Sequence, residues 1–392
     1  MDASQHDCDV ASAAWQSWHD VSWVKVHQVV ARLQARIAKA AKAGEWRKVR
    51  ALQRLLTKST GAKALAVRRV TENRGRKTPG VDKQTWDTPE AKWKAVVDLG
   101  NRRYRPLPLR RIYIPKANGD KRPLGIPTMR DRAMQALHLL ALDPVAETIG
   151  DPHSYGFRRE RSTADAIEQV RNVLGRKASP KWVLEGDIKG CFDNISHDWL
   201  VANVCMDKGI LRKWLKAGFI ETGRLFPTQA GTPQGGIISP VLANLALDGL
   251  QHELTKLFRT VRNGREAKVN LVRYADDFII TGSSKEYLEE KVKPLVERVL
   301  ATRGLVLSEK KTKITHVTEG FDFLGWNVRY FNRMLITQPS KKNIKAFLGK
   351  IRDLLRVCIP VKLDSDSTPS WTRIPEQAGQ SERSDAGVLV LL

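Results

Sequence analysis

Two adjacent carboxylates, Asp276 and Asp277, stand inside the apolar stretch LVRYADDFII (271–280). Burying a charge is costly unless it is paired or holds a metal ion, and two neighbouring like charges also repel each other. Asp is common in turns, so the pair alone is better explained by a solvent-exposed turn. Asp187 changes this balance, because it ends another apolar stretch, KWVLEGD (181–187), and adjacent strands would bring the three acids together.

Three carboxylates at neighbouring strand ends are suited to Mg²⁺. This ion prefers oxygen ligands and is commonly bound by one or two carboxylates together with substrate phosphates. Two such ions, about 3.5–4 Å apart, can activate a 3′-hydroxyl and stabilise a departing pyrophosphate. The acidic residues therefore predict a site for two Mg²⁺ ions and nucleotidyl transfer.

The surrounding sequence predicts a mixed α/β fold that positions these acids. Apolar residues at helical spacing indicate two helices over residues 23–57, separated by Gly44. The segment RRIYIPKANGDKRPLGIP (110–127) indicates two strands that turn at Asn118-Gly119. LVRY and FIIT predict short strands on either side of the Asp pair, and GLVLS (304–308) predicts a further strand.

Between those last strands, residues 283–304 predict an amphipathic helix. It would begin at a Ser cap and end at Gly304, with Pro294 as a potential kink. Ser196 is predicted to cap a separate helix, and Asp193 to turn the chain or cap that helix.

Composition limits the classes of partner. The 392 residues carry a net charge of +25, which favours a polyanion such as nucleic acid. No apolar run approaches the roughly 20 residues that span a bilayer, and the N-terminus lacks the blocks of a signal peptide, so we expect a cytoplasmic protein that does not bind membranes. The four cysteines are scattered without a C-x-x-C pair, which argues against a zinc ribbon or a disulfide framework.

Several motifs in order give a more specific interpretation. YADD resembles the YxDD box of reverse transcriptases, and the basic N-terminus resembles the group II intron branch of that family. Further matches are the segments VTENRGRKTPGVD (70–82), IPKANGDKRPLGIPTMRDRAMQ (114–135), DIKGCFDNISH (187–197), GTPQGGIISPVLANLALD (231–248) and FDFLGW (321–326). The resemblance extends over roughly residues 14 to 355.

The resemblance implies a right-hand polymerase with fingers, an antiparallel palm sheet and a helical N-terminal extension. Asp187, Asp276 and Asp277 match the catalytic aspartates, and the backbone carbonyl of Ile188 would complete the ligands of one Mg²⁺. The implied activity is RNA-directed DNA polymerisation. Its partners would be a group II intron RNA template, a DNA primer or target, and dNTPs, while the oligomeric state stays open.

Further residues match substrate-binding positions of the family. Lys116 and Arg122 match the fingers residues that hold the incoming triphosphate, where Arg offers a bidentate fork. Phe192 matches the position that selects deoxynucleotides, although the sequence pattern alone favours a core Phe. Gln234 would touch the nucleotide or the template. Lys311 would assist the departure of pyrophosphate, a role for which the neighbouring Lys310 and Lys313 are alternatives.

These matches also predict the domain boundaries. Residues 14–95 form a basic helical N-terminal region, 96–330 the fingers and palm, and 331–356 the start of a helical thumb. Residues 357–392 depart from the family pattern, and the last 32 residues contain three basic and five acidic residues, so we expect a largely disordered tail. This departure suggests a truncated or frameshifted copy with an incomplete thumb.

Three other functions stay open on sequence grounds. The chain could be a splicing (maturase) cofactor that folds intron RNA without chemistry, or an inactive relic of a polymerase. A different palm enzyme, such as another polymerase or a nucleotidyl cyclase, is separated from these only by the family-specific motifs. The three retained aspartates favour a polymerase, because RNA binding gains nothing from clustered anions.

Overall fold

The computed structural model of the chain describes residues 15–100, 103–115, 119–260 and 268–358. Three sequence predictions therefore lie outside the described residues: the position of Lys116, the hairpin turn at Asn118, and the tail from residue 359 onwards.

The N-terminal region is helical, as predicted. Its helices are α1 (Trp23–Lys42), α2 (Trp46–Lys58), α3 (Thr60–Thr71) and α4 (Pro89–Asp98). The predicted break at Gly44 is confirmed, and this glycine adopts the left-handed backbone that ends α1. The buried side of α1 consists of apolar residues at helical spacing, including Val26, Val30 and Leu33.

The next part of the chain forms a small mixed sheet and the helices that support it. Strands β1 (Leu109–Pro115) and β2 (Lys121–Ile126) pair as the predicted antiparallel hairpin. They are followed by helices α5 (Met129–Ile149) and α6 (Thr163–Leu174). Helix α5 packs against α1 and α3 and so joins the N-terminal region to the rest of the protein.

The central part alternates strands and short helices. Its elements are β3 (Trp182–Gly186), α7 (Cys191–Asn194), α8 (His197–Asn203), α9 (Lys208–Leu215), β4 (Phe219–Glu221), β5 (Arg224–Phe226), α10 (Ser239–Leu247) and α11 (Leu250–Thr260). Strands β4 and β5 extend the first sheet to the order β2-β1-β4-β5, in which β1 and β4 run parallel. The predicted cap of α8 is confirmed, since Ser196 accepts a hydrogen bond from the Trp199 N–H.

Two more strands follow as predicted, β6 (Leu271–Tyr274) and β7 (Asp277–Gly282). The predicted helix after them begins with α12 (Lys285–Tyr287), capped by Ser284, and continues through a π turn (Leu288–Val292) into α13 (Lys293–Ala301). Pro294 lies in the first turn of α13 and has no N–H to donate to the preceding turn, which explains a π turn at this point.

The prediction of a strand at GLVLS is wrong. Only Leu307 of this segment forms a bridge, with Ile188, and the chain then turns at Glu309. The next regular strand is β8 (Lys313–His316).

The central sheet has the order β6-β7-β3-β8 and is antiparallel throughout. Its two faces are both buried. Leu184, Leu271 and Ile280 belong to the large core that also contains the N-terminal helices, while Val183 and Val272 belong to a second core with α6. Burial on both sides explains why these strands read as continuous apolar runs instead of alternating ones.

The last described elements are β9 (Phe321–Phe323), β10 (Trp326–Phe331), β11 (Met334–Pro339) and helix α14 (Lys341–Cys358). The three strands form their own antiparallel sheet. FDFLGW is therefore not a single strand, because the chain turns at Leu324 and Gly325, both with positive φ. One side of α14 exposes apolar residues at helical spacing, namely Ile344, Phe347, Leu348, Ile351, Leu354 and Leu355.

The predicted fold class is confirmed: the chain is mixed α/β with an antiparallel central sheet and a helical N-terminal region. Across the described part of the chain, no helix has the length and apolar content needed to cross a membrane.

Candidate active site

The three predicted carboxylates lie at one end of the central sheet. β3 and β7 are neighbours, and Gly186 faces Phe278 across the antiparallel pair. The next position on each strand is an acid, Asp187 after β3 and Asp277 at the start of β7. Asp276 stands in the turn that joins β6 to β7. The sheet therefore gathers acids that are widely separated in sequence.

The turn between β6 and β7 is tight. Tyr274 and Asp277 pair with each other, so only Ala275 and Asp276 form the connection. Ala275 has φ of 56°, a left-handed conformation that costs a non-glycine residue about 1–2 kcal/mol. The surrounding structure must therefore hold this turn in place.

The electrostatics of the acidic end show the effect of gathering like charges. Burial raises the pKa of Asp276, and the nearby Asp187 carboxylate raises it further, while Lys311 and Arg122 oppose the shift. Burial, Asp276 and Asp187 together raise the pKa of Asp277 to about 6. Asp277 is exposed at the open end of its strand, so solvent screens part of this effect. The site thus favours added positive charge.

Lys311 supplies one positive charge. Its Nζ lies 3.0 Å from Oδ1 of Asp187 and donates a hydrogen bond to it. Of the two alternatives considered from the sequence, Lys313 instead pairs with Glu185, at 3.2 Å. The structure therefore brings Lys311 to the carboxylates.

The backbone around Ile188 leaves its carbonyl outside the local pairing. The backbone carbonyl of Asp187 accepts a hydrogen bond from the Ser308 N–H at 2.8 Å, and the backbone N–H of Lys189 donates to the Val306 carbonyl at 3.0 Å. These two bonds form the bridge between Ile188 and Leu307 without using the N–H or C=O of Ile188. A ligand at the acidic end could therefore use this carbonyl without breaking the bridge.

The first sheet places Arg122 close to this end. Arg122 lies on β2 with an exposed side chain, and its charge acts on Asp276. A cation in this position can attract phosphates toward the carboxylates. Lys116, the other predicted triphosphate-binding residue, lies outside the described residues.

Phe192 is half-buried and not a fully enclosed core residue. It lies on α7, five positions after Asp187, and its ring meets the ring of Phe157 edge-on at a centroid distance of 6.0 Å. Phe157 has positive φ and an exposed side chain. The sequence reasoning missed Phe157; its only signal is the glycine that precedes it in the segment SYGFRRE.

Gln234 connects the two parts of the site. Its backbone carbonyl accepts a hydrogen bond from Gly125 of β2 at 2.7 Å, and its side-chain amide donates to both oxygens of Asp193. Asp193 does not cap the following helix, whose cap is Ser196, but it does lie in a turn of the chain, the one-turn helix α7. From there its carboxylate holds Gln234. Gly235 has φ of 108°, and a Cβ there would lie 2.8 Å from the Gly125 carbonyl oxygen, so the close approach requires glycine.

The donor chemistry fits Mg²⁺. Across residues 15–100, 103–115, 119–260 and 268–358, no three His, Cys, Asp or Glu side chains converge into a preformed metal cluster. The acidic end nevertheless offers carboxylate oxygens whose pKa values are raised by burial and, to a lesser extent, by the neighbouring carboxylates. A hard divalent cation that takes oxygen ligands is suited to such a set.

Sequence reasoning also missed Arg273, which precedes the Asp pair by three positions. The side chain is 1% exposed and contacts Asn244 and Asp248. A charged residue within the apolar stretch LVRY was the signal that could have identified it, by the rule that was applied to the aspartates.

Comparisons with known proteins identify the family of the chain. Residues 114–328 match the family described as reverse transcriptase (RNA-dependent DNA polymerase), and residues 18–99 match the N-terminal domain of reverse transcriptase. The first match covers more than half of the chain. The chain belongs to the reverse transcriptase family.

Two curated proteins illustrate the range of this family. Protein YkfC of Escherichia coli is 32% identical over 376 residues, which cover 83% of this chain and 98% of YkfC. The group II intron-encoded protein LtrA of Lactococcus lactis is 32% identical over 357 residues, which cover 74% of this chain and 59% of LtrA. The resemblance to group II intron reverse transcriptases is thereby confirmed.

Among solved structures, telomerase from Candida albicans aligns with a TM-score of 0.45 at 14% identity, covering 64% of this chain and 50% of that one. The family assignment rests on the sequence matches.

Proposed function

We propose that the protein is an RNA-directed DNA polymerase of group II intron type, which adds dNTPs to a primer 3′-hydroxyl on an intron RNA template. The observation that carries this proposal is that Asp187, Asp276 and Asp277 lie at the same end of an antiparallel sheet, within the segment that matches the reverse transcriptase family. The fingers and palm would lie within residues 96–330, preceded by the helical region 14–95 and followed by the start of the thumb at 331–356.

The carboxylates and the Ile188 carbonyl would hold two Mg²⁺ ions. When bound, these ions would supply positive charge that activates the 3′-hydroxyl and stabilises the departing oxygen. The protein's own contribution is to fix the acids on two paired strands, so that they need little rearrangement when substrate arrives. The primer 3′-hydroxyl would lose its proton to solvent, its oxygen would form a bond to the α-phosphorus, and the bond from that phosphorus to the pyrophosphate oxygen would break.

Cationic residues would bind and release the triphosphate. Arg122, together with Lys116, would hold the phosphates from the fingers side. Lys311 is paired with Asp187 in the free chain, and we propose that it turns from this carboxylate to the leaving pyrophosphate as the cations replace it. A cation on a long flexible side chain can make that change without moving the backbone.

Phe192 and Gln234 would select the substrate. The half-buried ring of Phe192 would occupy the space beneath the sugar and exclude a 2′-hydroxyl. Gln234 is held by both Asp193 and Gly125, so its backbone is fixed at the junction of β2 and α7, where a nucleotide or template base can contact it.

Primer extension tests this proposal. The purified chain is given an RNA template, an annealed DNA primer, dNTPs and Mg²⁺, and is compared with Asp276→Ala and with Asp322→Ala, an exposed acid on β9 as the control. We expect extension by the parent and by Asp322→Ala, and none by Asp276→Ala. Equal extension by all three would remove the site assignment, and no extension by any would favour the RNA-binding cofactor or the inactive relic.

Salt dependence tests the binding of RNA independently of chemistry. Phosphate contacts by a chain with a net charge of +25 should release counterions, so the affinity for RNA should fall steeply as salt rises. Fluorescence anisotropy with a labelled intron RNA at several salt concentrations measures the slope. A flat titration would contradict electrostatic binding.

A further inference from the structure

Arg273 is a buried cation directly behind the acidic turn. It lies on β6, two positions before Ala275, and is 1% exposed. Burying a guanidinium is expensive unless partners offset its charge. Both terminal nitrogens of Arg273 have such partners, whereas its buried Nε has none among the described residues. The partners of Arg273 therefore show what this residue holds together.

The guanidinium joins helix α10 to the turn. One terminal nitrogen, Nη1, donates to Oδ1 of Asn244 at 3.1 Å and to the carbonyl oxygen of Ala275 at 3.2 Å. The other, Nη2, forms an ion pair with Asp248, the residue after α10. One side chain thus fixes the left-handed residue of the turn to the end of a helix.

A second contact packs directly against the turn. Gly156 packs against it so closely that a Cβ there would lie 2.4 Å from the Ala275 nitrogen. The carbonyl of Gly156 accepts a hydrogen bond from the Asn244 amide at 2.7 Å. Asn244 therefore binds both the guanidinium behind the turn and the backbone that lies against it.

The other end of helix α10 follows directly after the TPQGG turn (232–236), which is the proposed nucleotide-binding turn. Helix α10 begins at Ser239, three residues after Gly236, and the Gln234 carbonyl in that turn is bonded to Gly125 of β2. The TPQGG turn and the YADD turn are therefore attached to opposite ends of one buried helix.

We propose that Arg273 is a positioning residue that, with Asn244 and Asp248, holds the Ala275 carbonyl and so fixes Asp276 and Asp277 relative to the nucleotide-binding turn. The proposal rests on the proposed polymerase function. An ion pair buried in this way adds little to stability compared with apolar residues of similar size. The forked geometry, which can reach two acceptors and a carboxylate at once, is what arginine adds.

The test removes the charges as a pair. Arg273→Met combined with Asp248→Asn leaves no unpaired buried charge, and the amide oxygen introduced at position 248 can still accept from the Asp151 N–H, as Oδ1 of Asp248 does. We expect the double variant to melt within a few degrees of the parent, while kcat for primer extension falls at least tenfold and KM for dNTP changes less than threefold.

Hydrogen exchange gives a readout that does not need activity. Amides of residues 276–278 should exchange at least tenfold faster in the double variant, while amides of α1 and α2 stay unchanged. Arg132→Met is the matched control, because Arg132 is also a buried arginine but binds the backbone of the loop at Gly75 and Thr78. That control should leave exchange at residues 276–278 unaltered.

Arg273→Lys keeps the charge and loses the fork, and it serves if the double variant does not fold. We expect it to reproduce the loss of kcat and the faster exchange at 276–278. Parent-like kcat and exchange in Arg273→Lys or in the folded double variant would overturn the proposal. If the parent itself does not extend a primer, the polymerase function fails, and the exchange measurement still decides whether Arg273 holds the turn.

Discussion

Clustering three carboxylates should cost the metal-free protein stability, and Asp277→Asn should recover part of that cost. The side chain of Asn has nearly the same shape and carries no charge, so it removes both the cost of burying the charge and the repulsion from Asp276 and Asp187 without opening a cavity. We therefore expect the variant to be more stable than the parent in EDTA at pH 7.5.

The size of the gain follows from the pKa of Asp277. A rise from 3.8 to about 6 is about two pKa units, and each unit corresponds to about 1.4 kcal/mol. Because Asp277 is exposed, solvent screening reduces the resulting figure of about 3 kcal/mol to about 1 kcal/mol of unfolding free energy. In a chain of this size that change raises the melting temperature by about 2 °C.

The raised pKa of Asp277 also determines how the stability of the parent changes with pH. The folded chain binds the Asp277 proton more tightly than the unfolded chain does, so the parent loses stability as pH rises from about 4 to about 6. Asp277→Asn lacks this loss. The two proteins should therefore melt alike near pH 4 and diverge through this window.

Thermal melts in EDTA from pH 4 to 8 measure the difference, with Glu168→Gln as a control for removing an exposed acid from a basic protein. Addition of Mg²⁺ should then stabilise the parent more than Asp277→Asn. Parallel melting curves for the parent and Asp277→Asn at every pH, or a variant less stable at pH 7.5, would refute the view that the carboxylates repel one another.

Three more predictions concern other parts of the structure. Phe192→Ala should lower the preference for dNTP over rNTP at least tenfold in single-nucleotide incorporation, and unchanged selectivity in an active variant would exclude the ring as the sugar selector. Burial lowers the pKa of His138 to about 4. The free energy of unfolding should therefore fall by up to about 3 kcal/mol as pH drops from 6.5 to 4. Thermal melts of His138→Phe should lack this pH dependence, whereas melts of the exposed His252→Gln should keep it. Tyr104→Phe removes a hydroxyl that donates a hydrogen bond to Asp131 and accepts one from Trp214. Denaturant unfolding should show that the free energy of unfolding falls by about 1–3 kcal/mol. The control Tyr113→Phe, at an exposed tyrosine, should show little change.

Local sequence patterns were sufficient for the main elements. The paired helices before and after Gly44, the β1–β2 hairpin and the strands around the Asp pair all follow from apolar periodicity and turn residues, and the structure confirms them. The strand prediction for GLVLS was wrong because apolar content alone does not make a strand. A neighbouring segment must pair along it, and only Leu307 forms such a pair, with Ile188.

Only part of the site could be predicted from the sequence. The acids could be grouped because Asp187 follows an apolar strand and the Asp pair lies between two others, and the motif order then supplied roles for residues such as Gln234 and Lys311. Contacts that depend on tertiary packing could not be deduced. Phe157 meets Phe192, Asn244 meets Gly156, and Arg273 reaches Asn244 only because the fold brings separate segments together.

The most direct measurement is the addition of a single radiolabelled dNTP to a DNA primer on an RNA template, under single-turnover conditions with Mg²⁺. If Asp187, Asp276 and Asp277 form the active site, the parent should add the templated nucleotide, and Asp276→Asn should be slower by at least a thousandfold while binding the primer–template equally well. Incorporation by Asp276→Asn at the parent rate would contradict the account.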